Sequence, residues 1–490
     1  MLLELKGEGR QPAGRQIVAQ IQCLIQEGHL SPGECLPSTR RLGEQLGLHR
    51  STIAGAYQEL WALGWLELRP GALPRVRRRG ALMTPTTPIT GQFPWAERMV
   101  VPPAEPSPLP IPGAPGGPIS FNALGMDPRL MPLEPLARSL KAVLRREGAQ
   151  LLDYGDPQGL AAFRACLSHR MAQHGITATP EEILVTHGAQ QALDLALAGL
   201  ARPGDAILVE SPTYNQMLKL LALRQVRPVP MPTGADGLDL QALEALIQKE
   251  RPALLYTMPS FQNPTGRSLT QAQREGLLAL CERYGLPILE DGFEEEMTYF
   301  GRPVLPLKSM DRSGLVLYSG TFSKVLFPGL RVGWLVGSRA CVETLATVRR
   351  AVDLGTPPLL QAALEDFIRK GHFDQHLARL HRAFRRRMAA CLAALRRELD
   401  PEQVCWEPPL GGYLVWLRVL GLPENLDLEE ALRAHGVQVR SGSRFFIEPA
   451  KGGPYLRLSI SNLDETEIVR GIARLGAGLR ALKATHPPPR

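Results

Sequence analysis

Paired cysteines are missing from this sequence. Seven Cys are scattered over 490 residues with no Cys-x-x-Cys pair. That excludes a disulfide framework and a Cys-ligated zinc module, and it suits a reducing compartment, the cytoplasm. No uninterrupted apolar run reaches the length of a membrane span, so no transmembrane helix is expected. The opening MLLELKGEGR has acids among its first residues and no apolar core, so no signal peptide is expected. Internal repeats are lacking too. Asp is absent from residues 1–80, where eleven Lys/Arg face seven Glu, a net of +4. The other 410 residues share the remaining +4 of the total +8. Basic character is thus concentrated at the N-terminus, as in a segment that meets phosphates, although a merely basic surface has the same composition. With 44% hydrophobic and 21% charged residues, the chain has the makings of several buried cores.

Three regions follow from pattern. Residues 12–70 read as three short helices. Ile17, Ile21 and Leu24 recur at helical spacing, and EGHLSPGE ends that helix. Ser38-Thr39 can cap a second helix bearing Leu42 and Leu46, and Gly47 makes a turn. Ile53, Ala56, Tyr57 and Leu60 form the stripe of a third helix. GWLELRPGALPRVRRR then alternates and turns like a small hairpin. From Ala81 to Pro118, eleven of 38 residues are proline, which reads as a linker, partly extended. After Pro118, EILVTHG, AILVESP, ALLYTMP, PILEDGF, LVLYSG and RVGWLVG alternate with helical segments. This predicts an α/β domain with a mainly parallel sheet, and ligands in such sheets sit at the C-terminal strand ends. The tail from about residue 385 mixes helix and strand as a smaller α+β unit.

The unusual polar residues stand just after these apolar runs. Lys324 follows Thr321-Phe322-Ser323, and Arg331 stands seven residues on. A strand-end lysine among hydroxyls and a guanidinium fork suits covalent attachment of pyridoxal phosphate, the fork and hydroxyls taking the dianionic phosphate. Taken alone, Lys324 also reads as a surface lysine in a Gly/Ser turn. THGAQQ places Gly188, Ala189 and Gln190 at a strand-to-helix junction, an anion site. Tyr214 in ESPTY offers a ring to stack on a pyridine; alone it reads as core or interface. Asn263 in QNPTG aims an amide. Asp291 in ILEDGF offers a carboxylate that keeps a pyridine nitrogen protonated, or else a helix cap.

Together, Gly-x-Gln, Pro-x-Tyr, Asn-Pro-Thr-Gly, Glu-Asp and Ser-Lys…Arg resemble the aspartate aminotransferase family, fold type I of the pyridoxal-phosphate enzymes, over roughly residues 119–485. The resemblance implies that Lys324 is the Schiff-base lysine and Asp291 the partner of the ring nitrogen. It implies that Asn263 bonds the phenolic oxygen and Tyr214 stacks on the ring. Gly188, Ala189, Gln190, Thr321, Ser323 and Arg331 would hold the phosphate. Arg457, in YLRLSIS, matches the family's arginine for a substrate α-carboxylate, and Tyr154, in YGDPQG, a tyrosine that reaches the neighbouring subunit's cofactor. One departure is Phe293, which stands where the family commonly has a tyrosine.

LPSTRRLGEQLGLHRSTIAGAYQEL resembles the winged helix-turn-helix of the GntR family, over about residues 12–79. This implies DNA contacts by His49, Arg50, Ser51 and Thr52 at the start of the third helix, by Arg40 on the second, and by Gly71 in the wing. The whole chain is similar to the MocR/GabR-like regulators: a winged helix-turn-helix over 1–80, a linker over 81–118 and an aminotransferase-like domain over 119–485. Its small subdomain is expected over 119–150 plus 385–485. The resemblance implies a homodimeric regulator binding operator DNA, pyridoxal phosphate and an amino compound. The alternative is a working aminotransferase with an accessory DNA-binding domain. A metal module using His372, His376 and His381 is the weakest reading, because GHFDQHLARLHRAFRRR is better read as a basic helix.

Overall fold

The computed structural model describes residues 3, 12–77, 95–98, 117–234, 237–300, 304–423 and 425–486. The chain divides into two compact units between Ala104 and Glu105. The linker expected over 81–118 lies outside the described residues, apart from 95–98 and 117–118.

In the first unit, α1 (Ala13–Gln26) turns Ile17, Val18 and Ile21 inward. Ser38 caps α2 (Thr39–Leu46) by accepting the Arg41 N–H at 3.3 Å. Gly47, at φ 64°, closes that helix. The stripe on α3 (Arg50–Ala62) buries Ile53, Ala56, Tyr57 and Leu60 against the same core. Each large apolar side chain among them contributes about 1.5–3 kcal/mol by leaving water. The hairpin is present as β1 (Leu66–Glu67) and β2 (Arg75–Val76), antiparallel, with Leu66 opposite Val76. Gly71 sits in its turn at φ 76°.

The second unit is built on a seven-stranded sheet. Its strands are β3 (Ile183–Thr186), β4 (Ala206–Val209), β5 (Arg227–Pro230), β6 (Leu254–Thr257), β7 (Ile288–Asp291), β8 (Val316–Thr321) and β9 (Gly333–Val336). Their order is β3-β9-β8-β7-β6-β4-β5. Only β9 runs antiparallel to its neighbours. Six of the strands are buried along their whole length, which is why they read as continuous apolar runs rather than alternations. The seventh, β5, is not legible in the sequence: it reads RPVP, and proline is tolerated there because the strand is an edge. The carboxyl ends of β3, β4, β6, β7 and β8 all lie on one side. The segments leaving them carry Gly188, Tyr214, Asn263, Asp291 and Lys324.

A second sheet is antiparallel, in the order β10 (Val404–Trp406), β11 (Leu414–Val419), β13 (Tyr455–Ser459), β12 (Arg440–Ser441). It places Arg457 on β13. The helices His372–Glu398 and Glu465–Thr485 pack on one another beside it. Helix Leu133–Glu147 packs on helix Pro358–Arg369. On the basic helix, His376 and His381 each meet a backbone carbonyl, of Val325 at 2.7 Å and of Glu296 at 2.6 Å.

Candidate functional site

One cavity at the strand ends brings together Ala189, Gln190, Tyr214, Asn263, Asp291, Thr321, Ser323, Lys324 and Arg331. Leu124, Met258, Phe293 and Pro328 complete its wall. Residues far apart in sequence converge because they close or follow the carboxyl ends of five strands of one sheet, β3, β4, β6, β7 and β8.

Asp291 is the last residue of β7 and is 2% exposed. Its Oδ2 accepts the Tyr256 hydroxyl at 3.0 Å, while Oδ1 has no hydrogen-bond partner. Burial pushes its carboxyl up to about 6 despite that bond and the nearby Lys324. A buried carboxylate oxygen without a donor costs a few kcal/mol, on the order of 1–3. An N–H facing it from the cavity removes that cost. The helix-cap reading belongs to the preceding residue: Glu290 accepts the N–H groups of Leu307 and Lys308, each at 2.8 Å.

Next to Ala189 and Gln190 of the cavity wall, Gly188 opens α4 (Ala189–Leu200) at φ 81°. The first N–H groups of a helix have no acceptor within it. A Cβ on Gly188 would stand 3.1 Å from the Arg331 guanidinium, so only glycine leaves that approach open. Arg331 is steadied by donating to the His187 carbonyl at 2.7 Å, and its own backbone sits at φ 51°. Left-handed backbone costs a non-glycine residue about 1–2 kcal/mol. Thr321 Oγ1 lies 3.1 Å from Ser323 Oγ and accepts the Ser323 N–H at 3.1 Å. Helix N-terminus, guanidinium and two hydroxyls form a cup for a phosphate.

In the same cavity wall, Lys324 donates to the Leu124 carbonyl at 3.3 Å. Burial pushes its ammonium down to about 8, against the pull of Glu294. Such an amine is available as a nucleophile near neutral pH. Tyr214 lines the wall with its hydroxyl 3.2 Å from Gln190 Oε1. Asn263 is 1% exposed and accepts from Arg457 Nη1 at 3.3 Å. Arg457 is itself buried; it also donates to the Asn122 carbonyl at 3.1 Å, and its Nε has no partner. Neither of these acceptors is a carboxylate. Burial pushes its guanidinium down to about 10, with Arg440 adding to the effect.

Tyr154 does not join the cavity of its own chain: it is 82% exposed. Sequence reasoning misses Tyr256, Leu124 and Glu294. Tyr256 is visible as a polar-tipped residue in the apolar run ALLYTMP. Leu124 acts through its backbone and has no signal. Glu294 is in the run EEE, which reads as solvated surface but is buried.

In the first unit, Arg50 and Ser51 are exposed at the start of α3. His49 caps that helix, its Nδ1 accepting the Ser51 N–H at 3.3 Å. Arg40 is exposed on α2 and pairs with Glu44 at 3.1 Å.

Comparison with known proteins bears on both units. Residues 127–475 match the aminotransferase class I and II family, and residues 13–73 the gntR family of bacterial regulatory proteins. The chain is 31% identical to the probable rhizopine catabolism regulatory protein MocR of Rhizobium meliloti, covering 100% of this chain and 98% of that protein. It is 37% identical to a 2-aminoadipate transaminase of Thermus thermophilus, covering 75% of this chain and 91% of the enzyme. The crystal structure of LysN, an α-aminoadipate aminotransferase from Thermus thermophilus holding N-(5'-phosphopyridoxyl)-L-leucine, superposes with a TM-score of 0.70 at 34% identity. That match covers 76% of this chain and 94% of LysN. The orphaned Asp291 oxygen and the phosphate cup fit the same cofactor, pyridoxal phosphate. The chain therefore belongs to the MocR/GabR-like GntR regulators, in which a winged helix-turn-helix is joined to a fold type I aminotransferase domain.

Proposed function

We propose that this protein is a transcriptional regulator that reads operator DNA with its first unit and senses an amino compound through pyridoxal phosphate in its second. The observation that carries the reading is the incomplete charge balance of the cavity. Asp291 Oδ1 has no hydrogen-bond donor and Arg457 makes no hydrogen bond to a carboxylate, in a chain that also presents Arg50 and Ser51 at a helix start.

Lys324 holds the cofactor covalently. Asp291, fixed by Tyr256, faces the ring nitrogen; Asn263 faces the phenolic oxygen; Tyr214 stacks on the ring. Gly188, Ala189, Gln190, Thr321, Ser323 and Arg331 hold the phosphate. When bound, the cofactor supplies an electrophilic carbon for an amine and a ring that withdraws electrons. Arg457 takes the ligand's carboxylate, and Asn263 keeps its guanidinium in line. Phe293 offers no hydroxyl at the place where aminotransferases of this type commonly have one, which favours sensing over rapid turnover.

The chain pairs with a second copy. Leu144, Leu152, Tyr154, Val352 and Leu354 are all large and exposed, between 42% and 82%. The segments around 155 and 355 touch, through Arg349 Nη1 and the Pro157 carbonyl at 3.0 Å. Exposed large apolar side chains gathered on neighbouring segments support an interface there. Across it, Tyr154 reaches the partner's cofactor. Two readers then engage two half-sites through Arg40, His49, Arg50, Ser51, Thr52 and Gly71, in the cytoplasm.

Mobility shifts on DNA upstream of the gene and its neighbours, with cofactor and a panel of amino acids and amines, test the reading. DNA binding altered by one such amine supports it. Turnover near about 10 per second on a common amino acid, the median for enzymes, together with no DNA binding, supports an aminotransferase instead.

A further inference from the structure

On β13, Arg457 stands opposite Trp416 of β11 on one side and Arg440 of β12 on the other. Residues directly opposite on antiparallel strands share a face, and like charges so placed repel. Arg440 has a partner of its own, Glu429 at 3.0 Å. Arg457 is 3% exposed, and its hydrogen bonds go to neutral acceptors, Asn263 Oδ1 and the Asn122 carbonyl. That is little support for a buried cation facing another cation.

The remaining support is a ring. Arg457 Cζ lies over the Phe445 ring, 5.1 Å from its centroid. A cation within about 6 Å of a ring centroid is drawn to the negative face of the ring, most strongly where water is excluded. Phe445 is fully buried and stands outside the cavity wall. Its backbone is fixed on both sides. Its N–H donates to the Gly442 carbonyl at 2.9 Å, and its carbonyl accepts the Thr213 N–H at 2.8 Å. Thr213 precedes Tyr214, so Phe445 also ties down the segment that carries Tyr214. The ring meets Trp416 at 5.9 Å and 89°, a favoured edge-to-face arrangement. Trp416 in turn stacks on Tyr455 at 5.3 Å.

We propose that Phe445 positions Arg457 for the ligand's carboxylate: the ring holds the guanidinium against the like charge of Arg440 and keeps its unpartnered N–H groups, Nε among them, aimed at the acid. A ring face uses up none of the N–H donors of an arginine, so the contact persists when a carboxylate binds, and what it contributes to binding is aim. Phe445 acts through Arg457 and is a positioning residue. The proposal rests on the reading of Arg457 as the arginine that takes the ligand's carboxylate.

Calorimetric titration of the full-length, cofactor-free chain with two stable probes tests it. One is N-(5'-phosphopyridoxyl)-L-leucine. The other is N-(5'-phosphopyridoxyl)-isopentylamine, the same molecule without the acid. Phosphate and ring contacts are common to both, so the ratio of their Kd values reads the carboxylate alone. Wild type prefers the leucine probe. Phe445→Leu keeps apolar bulk and loses the ring face, so this preference falls about five- to thirtyfold while the Kd of the amine probe stays within about twofold. Phe445→Tyr keeps the face and keeps the preference. If Phe445→Leu does not fold, a trifluorinated phenylalanine at position 445 carries the test: its shape is close to that of phenylalanine, its face is weakened, and the preference falls in the same direction. A preference unchanged or raised in the variants that fold overturns the proposal, and Phe445 is then a packing residue. Arg457→Ala checks the reading beneath. A preference that survives in Arg457→Ala moves the carboxylate elsewhere and takes the proposal with it. A preference lost there but intact without the ring face sinks the proposal alone.

Discussion

Tyr256 donates its hydroxyl proton to Oδ2 of Asp291 at 3.0 Å, from one strand of the large sheet to the next. That bond uses one carboxylate oxygen of a residue that lines the cavity. Tyr256→Phe therefore weakens cofactor binding without touching the cofactor. A hydrogen bond to a charged group contributes about 1.5–3 kcal/mol, so the Kd for pyridoxal phosphate, titrated by absorbance, rises by roughly one order of magnitude or more. An unchanged Kd would mean that Asp291 is held by packing alone. Asp291→Asn has the larger effect, because the ring nitrogen loses its counter-ion.

Lys324→Ala separates covalent from non-covalent holding. Borohydride fixes the cofactor on the wild-type chain at Lys324 and leaves none fixed on the variant. The phosphate cup survives the substitution, so the variant still retains cofactor in dialysis. A wild type that stays colourless with added cofactor contradicts the site.

The proposed role of Arg457 is to take the ligand's carboxylate. Truncating one partner of a buried charge pair costs about 2–5 kcal/mol. Arg457→Ala keeps cofactor affinity and loses the spectral response to amino acids, measured by titration in the visible. A normal response to every carboxylate-bearing amine tested places the effector's acid elsewhere.

Glu294 also leaves a mark on stability. Its folded pKa is raised, from 4.5 to about 8, so the folded chain holds a proton that the unfolded chain sheds between those values. Its stabilising contribution is full below the unfolded value and is lost as pH rises through about 8. Glu294→Gln removes that loss. The fall in Tm of the cofactor-free protein between pH 5 and pH 9 is smaller in the variant than in the wild type. An equal fall in both shows that the Glu294 carboxyl ionises in the folded chain as easily as in water.

Much of the site can be read in the sequence because its residues follow apolar runs directly. Asp291, Asn263, Tyr214 and Lys324 each close or follow a strand whose burial on both faces writes a continuous apolar signature. The edge strand β5 escapes, since RPVP carries prolines that a central strand forbids. Tyr256 and Glu294 escape for opposite reasons. Tyr256 reads as core because it is core, and its function lies in one hydroxyl. Glu294 reads as surface because three acids in a row are ordinarily solvated, and only the fold buries this one. Tyr154 stands out through its motif, yet a single chain leaves it facing solvent.

The reader at the start of α3 is separable from the pocket. Arg50→Ala weakens operator binding, by about 1–3 kcal/mol if it reads a base through two bonds. The visible spectrum of the bound cofactor does not change. Equal affinity at matched salt would remove Arg50 from the interface.

The central claim is that one ligand state, set at Lys324, governs DNA binding by the other unit. A ligand shifts such an equilibrium only through different affinity for the two states. The direct test is operator affinity of the full-length chain by fluorescence anisotropy at fixed salt, with pyridoxal phosphate, before and after an amine that changes the cofactor spectrum. Wild type changes its Kd on adding the amine, and Lys324→Ala binds the operator with no such change. A Kd that the amine leaves unaltered in the wild type, or alters equally in Lys324→Ala, contradicts the account.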